Sequence, residues 1–405
     1  YWITADISFA APAKQTFKVG LKIVDFEYNS PEGKKEIVTV AVWYPTLKTP
    51  RSFTYYQNAT KGKIKSKVAL NAPITTKAGP YPLILYSHGA FGTGYNGAFF
   101  AEYLATQGYI VVAPDYVDTK PPDYTEQIAF YRIKGGNVGR TLSVLQIAGK
   151  FVEEMEQNRD FFLSYLVEHR FNHTSFIIDK MMELNRNSNS DFYQTIREKV
   201  IGICGHSEGG VTALGKIGAH PDINFKDDRI KAALLFSAPA YPFEDSLSNI
   251  DVPVMLMVGD NDSPALHPEL TRRTIYDRTN PPKFYLVLKN ATHFTFGNEG
   301  CEGKPLYQAV NDIPQVNAIA RYGLAFFEKY LSGKTSEAEQ LEKFDSSWAY
   351  YVKEEKPGES QEWGKEPPAS SGGVGGIKEQ IKKTPLGGSK SKIRELINKL
   401  LKYRR

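Results

Sequence analysis

Five apolar residues, Val200 to Cys204, run directly into Gly205-His206-Ser207-Glu208-Gly209, and a helix-like segment, Gly210 to His220, follows at once. A chain that passes from strand to helix through so short a connection must turn sharply. The glycines stand where that turn leaves no room for side chains. The serine between them is thereby pushed out of the sheet, over the N-terminus of the helix that follows.

The rest of the chain supplies the sheet that such a turn requires. Thr16–Glu27 and Lys35–Thr46 are rich in β-branched and aromatic residues and flank Asn-Ser-Pro-Glu-Gly, which predicts an antiparallel strand pair. Tyr81–His88 and Tyr109–Asp115 are continuous apolar runs suited to strands buried on both faces, with a helical stretch around Gly97–Gln107 between them. Further strands are expected at Lys199–Cys204, Ile230–Ser237, Val252–Val258 and Lys283–Leu288, separated by helical segments, and a last helix at Gln315–Leu331. Strands alternating with helices predict an α/β fold with a doubly wound, mostly parallel sheet. From about residue 118 to 198 the pattern is helical and more charged, as expected of an insertion that packs over the strand ends as a cap.

The chain is expected to divide into an α/β domain over residues 1–352, a linker over 353–376 rich in Glu, Pro, Ser and Gly, and a basic tail over 377–405. The tail's ten Lys and Arg against two Glu give it +8 of the chain's net +5, leaving −3 for residues 1–376, so a nucleic-acid-binding body is not implied. Ile393, Leu396, Ile397, Leu400 and Leu401 follow amphipathic helical spacing, making the tail a candidate for weak contact with a membrane surface or a partner. Two cysteines, Cys204 and Cys301, do not make a disulfide framework, although a single bond between them is open. Oligomeric state is open as well, and an extracytoplasmic or secreted location is favoured.

A serine hydroxyl becomes a nucleophile when a base takes its proton and a carboxylate orients that base. The last histidine, His293, follows the expected strand Lys283–Leu288 and is the candidate base. The strand before it leads into Gly259-Asp260-Asn261-Asp262; Asp262 can turn back toward His293, whereas Asp260 suits a turn cap. Oxyanion donors are expected at the backbone N–H groups of Glu208 and, in His88-Gly89-Ala90-Phe91, of Ala90. Phe91 and Tyr95 are candidates to line a substrate pocket, while Phe99 fits core packing equally well. His169 and His173 lie four apart on a helix, but a third ligand is missing, so no metal site is assigned. Without a glycine-rich nucleotide loop no cofactor is expected.

Val42-Trp43-Tyr44-Pro45, PLILYSHG, GYIVVAPDY, GHSEGG, GDND and ATHF together resemble the α/β-hydrolase superfamily, in the branch of platelet-activating-factor acetylhydrolases, dienelactone-hydrolase-like enzymes and cutinase-like polyesterases. The likeness spans roughly Phe17 to Leu331. It implies a Ser207–Asp262–His293 triad with Ala90 and Glu208 as oxyanion amides, and a serine carboxylic-ester hydrolase acting on a small-molecule or polymeric ester. Polyester hydrolysis is the alternative within that class, and a non-catalytic recognition protein the alternative outside it. Two features depart from the branch: the long helical insertion, and the acidic Glu208, whose charge would disfavour anionic acyl groups.

Overall fold

The structure, a computed structural model, describes residues 17–31, 33–56, 63–90, 92–116, 159–262, 272–333 and 338–367. Their strands are β1 (Lys18–Asn29), β2 (Lys35–Thr46), β3 (Arg51–Tyr56), β4 (Lys63–Leu70), β5 (Tyr81–Ser87), β6 (Ile110–Asp115), β7 (Ile196–His206), β8 (Ile230–Phe236), β9 (Val254–Gly259), β10 (Lys283–Leu288), β11 (Trp348–Glu354) and β12 (Ser360–Gly364). They form a sheet in the order β12-β11-β10-β9-β8-β7-β5-β6-β2-β1-β4-β3. The stretch from β6 to β10 is parallel throughout. At one end β2 turns the sheet antiparallel against β6, and β1 pairs with β2 from Lys18↔Thr46 to Asn29↔Lys35, as expected.

Continuous apolar strands demand cover on both faces, and the helices provide it. On one face the helices Ala98–Thr106 and Pro314–Phe327 pack Phe99, Phe100, Leu104, Ile319, Tyr322 and Phe326 against the sheet. On the other, Val211 and Leu214 from Glu208–Leu214 join Ile177, Ile178 and Met181 from Asn172–Arg186 over Val38, Val40, Ile201 and Ile203. This second layer includes the described part of the insertion expected as a cap. Its helix Asn172–Arg186 buries Ile177, Ile178, Met181 and Met182 along a sheet face, with Phe176 edge-on to Phe26 and Tyr28 of β1. Residues 117–158, where the rest of the cap was expected, lie outside the described residues, as does the tail.

Two hairpins extend the sheet beyond what the sequence pattern indicates. β3 and β4 pair antiparallel from Arg51↔Val68 to Tyr56↔Lys63, in a stretch that reads as a Lys- and Pro-rich loop. The expected linker begins instead as the end of β11 and all of β12, which add to the β10 edge. Tyr350 and Val352 are buried on one face of β11 and Tyr351 on the other. Lys353 is buried because its ammonium meets Glu342 at 2.5 Å and Glu355 at 2.9 Å. Cys204 and Cys301 are both buried and free, so the open disulfide is not formed. Among the described residues no helix is long and apolar enough to cross a membrane.

Candidate active site

The sheet order reverses beside β5: its successor β6 lies on one side and β7 on the other. A crevice opens at the carboxyl ends of strands at such a switch point, and ligands bind there in open α/β sheets. The end of β5 leads to His88, Gly89 and Ala90, and the end of β7 leads to Ser207.

Ser207 has φ 56° and ψ −123°, a backbone conformation that costs a non-glycine residue ~1–3 kcal/mol and persists only when neighbours enforce it. The enforcement is visible. The Ser207 N–H donates to Phe236 O of β8 at 2.9 Å, and its carbonyl accepts from Gly210 and Val211 at 2.8 and 3.2 Å. A Cβ on Gly205 would lie 2.1 Å from Gly209 O, and one on Gly209 would lie 2.0 Å from Ser87 O. Only bare backbone fits where elbow and β5 cross. A Cβ on Gly89 would lie 3.2 Å from the Ser207 Cβ, so the loop after β5 runs directly beside the serine.

His293 opens a short 3-10 helix, His293–Phe296, in the loop after β10. Asp262 follows β9; its chain turns back through Asn261 N to Ala291 O and Asp262 N to Gly259 O. Asp262 is fully buried, and its Oδ1 lies 3.1 Å from His293 Nδ1. A carboxylate only accepts, so Nδ1 carries the proton and Nε2 keeps a lone pair. Thus the structure brings the expected acid and base together, while Asp260, whose Oδ1 accepts from the Asn261 amide at 2.8 Å, stays in the turn.

His206, the elbow residue before the serine, has a role that the motif alone did not reveal. Its Nε2 donates to the His293 carbonyl at 2.8 Å, and the two rings lie 4.8 Å apart. Burial, with His293 alongside, pushes the His206 pKa down to about 3, so the ring is a neutral latch between elbow and base loop. On the acid side, Arg272 clamps the turn by donating to Gly259 O at 2.8 Å and Asp260 O at 3.0 Å.

Of the expected oxyanion donors, Ala90 follows Gly89 in the loop after β5 and Glu208 begins the helix Glu208–Leu214 directly after Ser207. The Glu208 carboxylate does not face a substrate. It is buried and its Oε1 meets Arg170 Nε at 2.9 Å, which corrects the expectation that its charge would repel anionic acyl groups. His88 is fully buried: its Nδ1 donates to Gly89 O at 2.8 Å and its Nε2 accepts from Tyr116 N–H at 3.3 Å, so it shapes the loop.

The pocket candidates fare differently. Tyr95 has no exposed surface and packs edge-on against Tyr55 and Trp43, which places it in the core; helix-like spacing cannot tell a cleft residue from a core one. Phe99 is core as well, and Phe91 lies outside the described residues. His173 is buried with its Nδ1 on His169 O at 2.7 Å and its Nε2 3.4 Å from Glu36. Among the described residues no three His, Cys, Asp or Glu could jointly hold a metal ion.

A parallel sheet wound on both faces, with a serine elbow after a central strand, defines the α/β-hydrolase fold, and this chain has it. Residues 45–123 match the family described as platelet-activating factor acetylhydrolase, isoform II. That stretch holds β5, the loop with Ala90, and β6, and ends before Ser207. Among solved structures, the chain is similar to a ferulic acid esterase from Streptomyces cinnamoneus, with a TM-score of 0.54 and 18% identity over 83% of this chain and 96% of that one.

Proposed function

We propose that this chain is a serine carboxylic-ester hydrolase. The observation that carries the reading is the hydrogen bond from His293 to buried Asp262, in a loop that His206 ties to the elbow holding Ser207. The family match over residues 45–123 and the fold shared with a ferulic acid esterase support it.

The reaction has two halves. His293 Nε2 takes the Ser207 Oγ proton as Oγ adds to the ester carbonyl, and the N–H groups of Ala90 and Glu208 donate to the resulting oxyanion. The tetrahedral adduct collapses, the C–O bond to the alcohol breaks, and His293 returns the proton to the leaving oxygen. Water, deprotonated by the same imidazole, then releases the acid and restores Ser207. Asp262 keeps Nδ1 protonated and stabilises the imidazolium of each half-reaction.

Hydrolysis of a p-nitrophenyl ester by the wild-type chain, lost in Ser207→Ala, is the expected result. A Ser207→Ala protein with full activity would overturn the reading, and a wild-type chain that a fluorophosphonate does not label would favour a recognition role. Polyester hydrolysis is the second reading. Phe294, half-buried beside His293 with ring centroids 5.7 Å apart, offers an aromatic surface next to the base. Soluble products from polyester film would support it, and activity confined to short soluble esters would remove it.

A further inference from the structure

Both expected oxyanion donors are tied to one side chain that neither touches substrate nor belongs to the triad. Arg170 sits in the wide turn Val167–Phe171, between the helices Arg159–Leu166 and Asn172–Arg186, and is completely buried. Its Nη1 donates to the His88 carbonyl at 2.7 Å, and its Nε meets Glu208 Oε1 at 2.9 Å. Its guanidinium lies over the Tyr116 ring, 4.7 Å from the centroid, and its own carbonyl accepts from Thr174 Oγ1 at 2.8 Å.

We infer that Arg170 is the positioning residue of the oxyanion hole, holding the loop of Ala90 and the helix start of Glu208 at the separation that a tetrahedral oxyanion needs. The inference rests on the ester-hydrolase reading and goes beyond it to a residue in the helical insertion.

Three physical points carry it. The first is reach: a planar guanidinium offers several donors in a fixed fork, so one Arg can grip a carbonyl on one segment and a carboxylate on another. A lysine ammonium is a point charge and cannot reproduce both directions. The second is leverage. The His88 carbonyl lies one residue before Gly89, the close-approach point beside Ser207, and Glu208, directly after Ser207, carries the second expected oxyanion amide. The third is charge. A buried carboxylate on the residue that supplies an oxyanion amide adds negative potential against a developing oxyanion, and the Arg170 cation on Glu208 Oε1 offsets it where screening is weak. The Tyr116 hydroxyl, which donates to Ser87 Oγ at 3.1 Å, braces the same strand end from behind.

An oxyanion hole acts on the transition state rather than on the bound ester, so its loosening is read in kcat and not in KM. The test compares wild type, Arg170→Lys, Arg170→Met and the double variant Arg170→Met/Glu208→Gln on p-nitrophenyl butyrate, together with inhibition by an alkyl boronic acid, whose serine adduct is a tetrahedral anion. Expected for Arg170→Met is a fall in kcat of about 10²-fold, with KM within about threefold and boronate affinity falling in parallel with kcat. Arg170→Lys recovers part of this by restoring the charge without the fork. The double variant, which buries no unpaired carboxylate, keeps the protein folded if Arg170→Met alone does not. Its kcat stays below wild type because the His88 carbonyl has lost its donor. Variants that melt as wild type does, yet keep wild-type kcat and boronate affinity, would overturn the inference. So would losses that scale only with the folded fraction. If the wild-type chain neither hydrolyses the ester nor takes a fluorophosphonate on Ser207, the ester-hydrolase reading itself fails, a result distinct from a labelled, active wild type with indifferent Arg170 variants.

Discussion

Glu102 offers a test of how the β3–β4 hairpin is held. Its carboxyl is buried on the helix Ala98–Thr106 and accepts from Tyr55 Oη at 2.6 Å and Ser66 Oγ at 2.5 Å, one donor from each strand of the β3–β4 hairpin. Burial pushes its pKa up to about 7 from an ordinary 4.5, with the two donors pulling the other way. Below pH ~4.5 the group is protonated in folded and unfolded chains alike, and its contribution to stability is complete. As pH rises toward 7 the unfolded chain loses the proton first, so folding becomes steadily less favourable. Above 7 both states are ionised and the slope ends. A shift of this size is worth about 3 kcal/mol over the whole window, of which about 2.5 falls between pH 5 and 8. Glu102→Gln keeps an acceptor for one hydroxyl and removes the titration. Urea unfolding of both proteins at pH 5 and pH 8 isolates this residue, because every other titrating group is common to the two. The stability difference, variant minus wild type, is expected to move in the variant's favour by about 2–3 kcal/mol from pH 5 to pH 8. A difference that stays flat across that range would refute the reasoning, since Glu102 would then ionise alike in both states.

Four further outcomes are expected. Asp262→Asn should keep the fold and lower kcat on a p-nitrophenyl ester by about 10⁴-fold, by supplying the wrong hydrogen-bond partner to His293 Nδ1; a loss under tenfold would exclude it as the orienting acid. His206→Phe, which keeps a ring but cannot donate to the His293 carbonyl, should cost up to about 10²-fold in kcat, and unchanged turnover in a folded variant would dismiss the latch. Gly209→Ala places a methyl 2.0 Å from Ser87 O and should destabilise by at least the ~3 kcal/mol of severe overpacking, seen as a lowered urea midpoint or lost soluble yield. Cys204 and Cys301 should both be silent to a thiol reagent in the native protein and both react in denaturant, because burial holds both thiols protonated; fast native labelling would contradict that burial.

What the sequence made legible follows from where its physical signals are strong. Strands buried on both faces are continuous apolar runs, so β5, β6, β8 and β10 were found within one or two residues of their ends. The elbow was legible because bare glycines at close crossings leave a fixed spacing around Ser207. β4 was missed although Ile64, Ser66 and Val68 alternate inward, because Lys63, Lys65 and Lys67 dominate its composition. β11 and β12 were missed because Lys353 and Glu354 read as solvated, while their partners Glu342 and Lys283 come from other segments. The Arg170–Glu208 pair joins residues far apart in the chain, and neither residue carries a local sign of the other.

The backbone of Ser207 has a consequence for anyone who would stabilise this protein. Its conformation is one that glycine adopts freely and serine does not, and the surrounding sheet offsets the cost. A screen that ranks substitutions by melting temperature alone would therefore be drawn toward Ser207→Gly, the change that relieves the elbow and removes the hydroxyl. On the ester-hydrolase reading, thermal robustness and turnover are opposed by geometry at this position, so a selection for one must carry an assay for the other.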